Sequence, residues 1–308
     1  MTITVVVPDA EGVSALAGLD GVEVVHWDPA DEDQPAPEAA ERAEILVPSF
    51  LAVADPAAVL ARMPNVRLVQ LLTAGVETWL GRLPDHVMLS TGSGAHGGST
   101  AEWALGALLT IYRDFIPFEA ARQARDWEAR HPTDTLQDKR VLVLGAGDLG
   151  RRMRTRLEAC DAVATLVATR ARDGVHGVDE LPDLLGTHDA VVLMVPLTEA
   201  TTGLVDAEFL ARMPDGAILV NAARGKVVRT DALLAELTSG RLRAALDVTD
   251  PEPLPADHPL WTAPGLLLTP HVAGSVHGYQ RRGYAVVVDQ IARYVAGETP
   301  ANVVRGEY

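Results

Sequence analysis

The sequence predicts an α/β protein built from two doubly wound parallel sheets. Short β-branched runs alternate with longer Ala/Leu/Glu-rich stretches along the 308 residues. The runs are continuously apolar, as strands covered by helices on both faces require. The alternation pauses in a long helical stretch and restarts at Arg140. Two successive α/β series imply two domains, which the length also allows.

Taken in order, the first series has strands expected at Ile3–Val7, Val22–Trp27, Ile45–Val47, Val66–Leu72 and Val87–Ser90, with Gly, Pro and Asp at the joins. The Pro- and acid-rich stretch Asp28–Glu41 reads as an exposed loop leading into a short helix, and Gly92–Gly98 reads as a hinge or linker. A long helix is expected to begin near Ser99, because Ser99 and Glu102 have the spacing of a capping box. It runs through Tyr112, Pro117 interrupts the pattern, and a second helical stretch continues to about Arg130. The second series predicts strands at Val141–Leu144, Val163–Ala168, Ala190–Val195, Ala217–Val220, Arg243–Leu246 and Leu266–Leu268, then a final helix over Arg281–Ala296.

Composition removes several function classes. The chain is 48% hydrophobic and 22% charged, which excludes disorder. Lys and Arg number 26 against 42 Asp and Glu, a formal charge of −16 and the opposite of a duplex-binding surface. A lone cysteine, Cys160, excludes an internal disulfide framework and a cysteine-rich metal site. Aspartates and histidines are scattered, so no metal is expected. Met1–Pro8 lacks the basic region and cleavage site of a signal peptide, and no apolar run reaches the roughly 18 residues that span a bilayer. A cytoplasmic location is the expectation.

The segment from Val141 to Arg151 is a strand running into G-x-G-x-x-G and then a helix. Gly145 permits the tight turn, Gly147 lets backbone approach a pyrophosphate, and Gly150 allows close helix–strand packing. The new helix offers unpaired N–H groups and a positive dipole end to phosphates. The following strand, Val163–Ala168, ends without the Asp or Glu that would bind the ribose hydroxyls of NAD; Thr169, Arg170, Ala171 and Arg172 stand there instead. A guanidinium can grip a 2′-phosphate that a carboxylate would repel. NADP(H) is therefore the expected cofactor, with NAD(H) possible; the other reading of Arg170 and Arg172 is ordinary loop charge.

Three further motifs follow in order: Asn221-Ala-Ala-Arg224-Gly225, Asp247-Val-Thr-Asp-Pro-Glu252-Pro253 and Pro270-His271-Val-Ala-Gly274. Each lies just past a predicted strand's carboxyl end, where open α/β sheets bind ligands. Singly, His271, Arg224 and Glu252 have ordinary structural readings. Jointly, an arginine, a glutamate and a histidine beside a nicotinamide form a working set for carbonyl reduction. His96, His258 and His277 lack such context and read as loop or helix-start residues, and Trp103 and Trp261 read as packing groups.

Together these motifs make the sequence resemble the D-isomer-specific 2-hydroxyacid dehydrogenase family, over nearly the whole chain and most sharply from Val141 to Gly274. The resemblance implies a glyoxylate/hydroxypyruvate reductase-like oxidoreductase with catalytic Arg224, Glu252 and His271. It implies a flavodoxin-like substrate domain, residues 1–95 plus 280–308, split by a Rossmann cofactor domain at 96–279, with the substrate cleft at the hinge and a homodimer built largely through the cofactor domain and the long helix near Ser99–Tyr112. Cofactor contacts are assigned to Gly145, Gly147, Asp148, Leu149 and Gly150, to Thr169, Arg170 and Arg172, and to Val195, Pro196, Ala222, Asp247 and His271. Ala74, Gly75 and Val76, within Thr73–Glu77, would hold the substrate carboxylate through backbone N–H groups, with Arg224 and His271 completing the substrate contacts. The position after Val227-Val228, often acidic in the family, is Arg229, for which a surface effect is expected. Two other functions on this fold remain open: a nucleotide-sensing, corepressor-like interaction protein, and formate oxidation. Formate oxidation needs no general acid, and in that branch Gln replaces the glutamate of the histidine pair; Glu252 speaks against it.

Overall fold

The computed structural model describes residues 2–31, 33–50, 55–127 and 131–304. The chain divides into two compact units, residues 1–96 with 277–308 and residues 97–276.

In the first unit, strands β1 (Ile3–Val7), β2 (Val22–His26), β3 (Ile45–Leu46), β4 (Leu68–Gln70) and β5 (Met88–Ser90) alternate with helices α1 (Ala10–Leu16) and α2 (Pro56–Ala61). The sheet is parallel with order β2-β1-β3-β4-β5, the flavodoxin-like arrangement. Val5 and Val7 of β1 face one core and Val6 faces the other, so every residue from Val5 to Val7 is fully buried. That double burial is why the strand reads as an unbroken apolar run. Asp9 caps α1 by accepting from Gly12 N–H at 2.8 Å, and Asp55 caps α2 ahead of a proline at its first position.

The second unit begins with α3 (Gly97–Tyr112) and α4 (Phe115–Ala124). It continues through β6 (Arg140–Leu144), α5 (Asp148–Glu158), β7 (Val163–Ala168), β8 (His176–Gly177), α6 (Leu181–Leu185) and β9 (Ala190–Leu193). Helix α7 (Ala207–Arg212), β10 (Ile218–Asn221), α8 (Thr230–Thr238), β11 (Arg243–Leu246) and β12 (Leu266–Leu268) complete it. The seven strands are parallel in the order β12-β11-β10-β9-β6-β7-β8. The strand order reverses between β6 and β9, which makes the crevice beyond their carboxyl ends the natural ligand position. The chain then returns to the first unit through α9 (Tyr279–Val295), whose Tyr284, Val287 and Ile291 cover β1 and β3.

Several elements differ from the sequence expectation for identifiable reasons. Helix α3 starts at Gly97, so Ser99 is its third residue and the Ser99/Glu102 spacing does not cap it. The two glycines extend the helix because α5 lies against them: a Cβ at Gly97 would collide with the Asp148 carboxylate, and Gly98 O accepts from Arg156 Nη2 at 3.1 Å. The break after α3 comes at Asp114, in the left-handed region at φ 51, and Pro117 sits harmlessly in the first turn of α4. Arg125, also left-handed, ends α4 at Ala124, with Asp126 N–H donating back to Ala121 O at 2.9 Å. The expected extension to Arg130 therefore fails at residues 125–127, and residues 128–130 lie outside the described ones. Strand β4 is shorter than expected, and β8, a two-residue edge strand, was not legible at all. Trp261 is 54% exposed, with its indole N–H donating to Pro255 O, so it is not a packing group. Among the described residues, no helix is long and apolar enough to cross a membrane.

Glycine sterics give a direct stability test. A Cβ at Gly150 would run into the Gly145 carbonyl, whereas at Gly106 in α3 it would meet nothing within 4 Å. Gly150→Ala is expected to destabilise the protein by about 1–3 kcal/mol through overpacking. Gly106→Ala is expected to stabilise it by roughly 0.5–1 kcal/mol through helix propensity. Denaturant unfolding checks both signs.

Candidate active site

The site grows from the carboxyl edge of β10, β11 and β12, three adjacent strands. At the end of β10, buried Asn221 staples the turn that follows. Its Oδ1 accepts from Ala223 N–H at 3.0 Å, and its Nδ2 donates to Arg224 O at 3.0 Å. Arg224 is thereby fixed at the turn's tip, half-buried, with Nη1 donating to Ala223 O at 2.7 Å. Gly225 is required next: a Cβ there would collide with the Thr249 carbonyl of the loop leaving β11. That close approach seats the arginine turn against the loop carrying Glu252.

Asp247, just past β11, is 2% exposed. Its Oδ1 accepts from Thr269 Oγ1 at 2.6 Å and Val272 N–H at 2.8 Å, and its Oδ2 from Ala273 N–H at 2.9 Å. Its backbone carbonyl accepts from His271 N–H at 2.7 Å. These bonds clamp the turn after β12 and hold His271 in the left-handed region at φ 53, where a non-glycine residue is strained by of the order of 1–3 kcal/mol. The strain is offset by three charge-assisted hydrogen bonds in a buried setting. In that position His271 Nδ1 lies 2.6 Å from Glu252 Oε1. Both side chains remain about half exposed, at 50% and 40%.

The glycine loop fits a dinucleotide. Gly145 takes φ 110, and a side chain there would strike the Met194 carbonyl at the end of β9, on the other side of the strand reversal. Gly147 opens α5 with no side-chain cap, and the place of its missing Cβ has no atom within 4 Å. The opening is what a pyrophosphate needs, and the uncapped helix end supplies donors to it. Val195 and Pro196 follow β9 after Met194, and Ala222 follows β10, so both segments border the same sheet edge. Both carboxylate oxygens of Asp148 accept from Arg152 Nε, at 2.9 and 3.0 Å. Leu149 packs partly against the core. Thr169 and Arg170 are exposed beyond β7, while Arg172 reaches the glycine loop with Nη2 3.3 Å from Ala146 O.

In the first unit, Thr73 Oγ1 donates to Gly75 O at 3.1 Å and Gly92 N–H to Thr73 O at 2.6 Å, shaping the loop that contains Ala74, Gly75 and Val76. The Val76 side chain belongs to the core, 1% exposed. His96 stands directly before α3, at a helix start. It bonds Leu72 O at 2.9 Å, its ring meets Phe50 edge-on at 5.4 Å, and burial holds its pKa below the usual range. His258 does start a short 3-10 turn, accepting from Leu260 N–H. Among the described residues no cluster of three metal-ligating side chains occurs.

Residues 105–273 match the family described as D-isomer specific 2-hydroxyacid dehydrogenase, NAD binding domain. The chain belongs to the D-isomer specific 2-hydroxyacid dehydrogenase family. A crystal structure of the family member from Xanthobacter autotrophicus Py2, in complex with NADPH and MES, matches with TM-score 0.82 and 33% identity over 98% of each chain. Glyoxylate/hydroxypyruvate reductase A of Salmonella paratyphi B is 31% identical over 258 residues, 79% of this chain and 80% of that protein. The mitochondrial formate dehydrogenase of Solanum tuberosum is 32% identical over 249 residues, 74% of this chain and 64% of that protein. The protein is thus an NAD(P)-dependent oxidoreductase of 2-hydroxy acids.

Asp247→Ala removes the acceptor for two backbone N–H groups and a hydroxyl. It is expected to cost roughly 2–4 kcal/mol, because buried donors are left without partners. Thermal unfolding with and without cofactor reads the loss; an unchanged midpoint would mean that the turn holds without its clamp.

Proposed function

We propose that this dehydrogenase reduces small 2-oxo acids such as glyoxylate or hydroxypyruvate with NADPH, using His271 as general acid and, in the reverse direction, as base. The observation that carries the reading is the 2.6 Å contact of His271 Nδ1 with Glu252 Oε1 on a turn clamped by Asp247. When bound, the reduced nicotinamide supplies hydride to substrate C2. With Nδ1 engaged, the imidazole is held so that Nε2 exchanges the proton. Negative charge develops on the keto oxygen during reduction, and the Nε2 proton neutralises it. Glu252 orients the ring and balances its positive charge. Arg224, on its Asn221-stapled turn, binds the substrate carboxylate and polarises the ketone. We assign the backbone N–H groups of Ala74, Gly75 and Val76 to the substrate carboxylate as well.

NADPH preference is supported by the absence of a carboxylate at the end of β7, by Arg170 and Arg172 in its place, and by the NADPH-bound relative. A paired acid–base histidine is a device for moving a proton, which hydride abstraction from formate does not require, so the reductase reading is favoured over the formate dehydrogenase one. The homodimer implied by the family is supported by α4, which has no buried residue and exposes Phe115 and Ile116.

His271→Ala is expected to lower kcat by about 10²–10⁴-fold, the typical worth of a general acid, with NADPH affinity nearly unchanged. Arg224→Ala is expected to raise KM and lower kcat together. A spectrophotometric panel of 2-oxo acids with both reduced cofactors reads these values. Turnover that survives loss of His271 would remove it from the mechanism, and a higher kcat/KM with NADH would overturn the cofactor assignment.

A further inference from the structure

Helix α5 carries four arginines, and three of them have evident structural tasks. Arg152 pairs with Asp148 at 2.9 Å and Arg154 with Glu158 at 2.7 Å. Arg156 donates to Arg152 O at 3.0 Å and Gly98 O at 3.1 Å. Arg151 differs. Its Nη1 turns back to the glycine loop and donates to Ala146 O at 3.1 Å. Arg172, arriving from the segment beyond β7, donates to the same oxygen from Nη2 at 3.3 Å. Two guanidinium groups therefore converge on one carbonyl between Gly145 and Gly147. Among the described residues, neither meets a carboxylate.

One arginine is enough to satisfy a loop carbonyl. A second cation brought to the same atom adds repulsion, and among the described residues no acidic side chain bonds either one. Each guanidinium has five N–H donors and spends one on Ala146, so most of both forks remain for a ligand. The ligand that this arrangement lacks is an anion of more than one charge. We infer that Arg151 and Arg172 form a paired clamp for the ribose 2′-phosphate of NADPH, with Arg151 a specificity-determining residue that the sequence pattern does not mark. This rests on the NADPH reading above and deepens it. The placement suits the chemistry: Arg172 follows the end of β7, where the adenosine ribose is read in this fold, and Ala146 lies in the phosphate loop. A ribose diol gains little from two cations, whereas a phosphate dianion can accept from both forks at once.

Calorimetric titration of the whole protein with adenosine 2′,5′-bisphosphate and with AMP tests this without turnover. Arg151→Gln is expected to weaken the bisphosphate by about 10- to 100-fold, the value of a lost charge-assisted hydrogen bond, and to leave AMP nearly unchanged. Arg154→Gln, which removes a guanidinium paired to Glu158, should change neither, and thermal melts confirm that each variant is folded. Equal losses for both nucleotides would reduce Arg151 to a brace of the loop and overturn the clamp. Wild-type discrimination that survives Arg151→Gln would sink the clamp while leaving the NADPH reading intact. Wild-type protein that binds both nucleotides equally would sink the two together.

Discussion

The carboxylate of Asp247 ties the loop beyond β11 to the turn beyond β12, accepting from Thr269, Val272 and Ala273 while its carbonyl accepts from His271. The rest of the site depends on that knot. A buried carboxylate is tolerated only when its charge is met by donors, and here two backbone N–H groups and a hydroxyl supply them. The same donors belong to the turn that must hold His271 at positive φ. The knot thus solves two problems at once: it satisfies a buried charge and stabilises a strained backbone. The imidazole can then meet Glu252 although both side chains are half open to solvent. An exposed histidine–glutamate pair alone would be worth little and would wander; mounted on a fixed backbone, it keeps one geometry.

Close approaches of backbone to backbone assemble the other parts. Gly225 against the Thr249 carbonyl sets Arg224 beside the loop that leads to Glu252, and Gly145 against the Met194 carbonyl sets the phosphate loop at the strand reversal. Both are places where a single methyl group has nowhere to go. The sheet fixes the frame: β10, β11 and β12 are neighbours, so residues that follow them in sequence share one edge. Family membership, hydride chemistry and the observed pair are consistent because the same topology underlies all three.

Much of this was legible in the sequence because parallel strands buried on both faces leave continuous apolar runs, and the chemistry sits at their ends. Asn221, Arg224, Asp247, Glu252 and His271 were each marked by their place after such a run. What those residues do to one another was less legible. The place of Asp247 after β11 marks it as a site residue, but its carboxylate's bond with Thr269, 22 residues away, is a contact that no local pattern encodes. Ser99 has the chemistry of a cap, but tertiary contact with α5 moved the helix start to Gly97. Arg125 ended α4 early by adopting a left-handed conformation that its residue type does not announce. Arg151 is one of four arginines on α5, and its direction toward Ala146 is what separates it from its neighbours.

If His271 and Glu252 act as one proton-transfer unit, a double-mutant cycle on kcat/KM reveals their coupling. Residues that work as a unit are strongly non-additive. Glu252→Gln is expected to slow the wild-type enzyme substantially but to leave the His271→Ala enzyme unchanged. Equal slowing in both backgrounds would show that the carboxylate acts independently of the imidazole and that the two are not one unit.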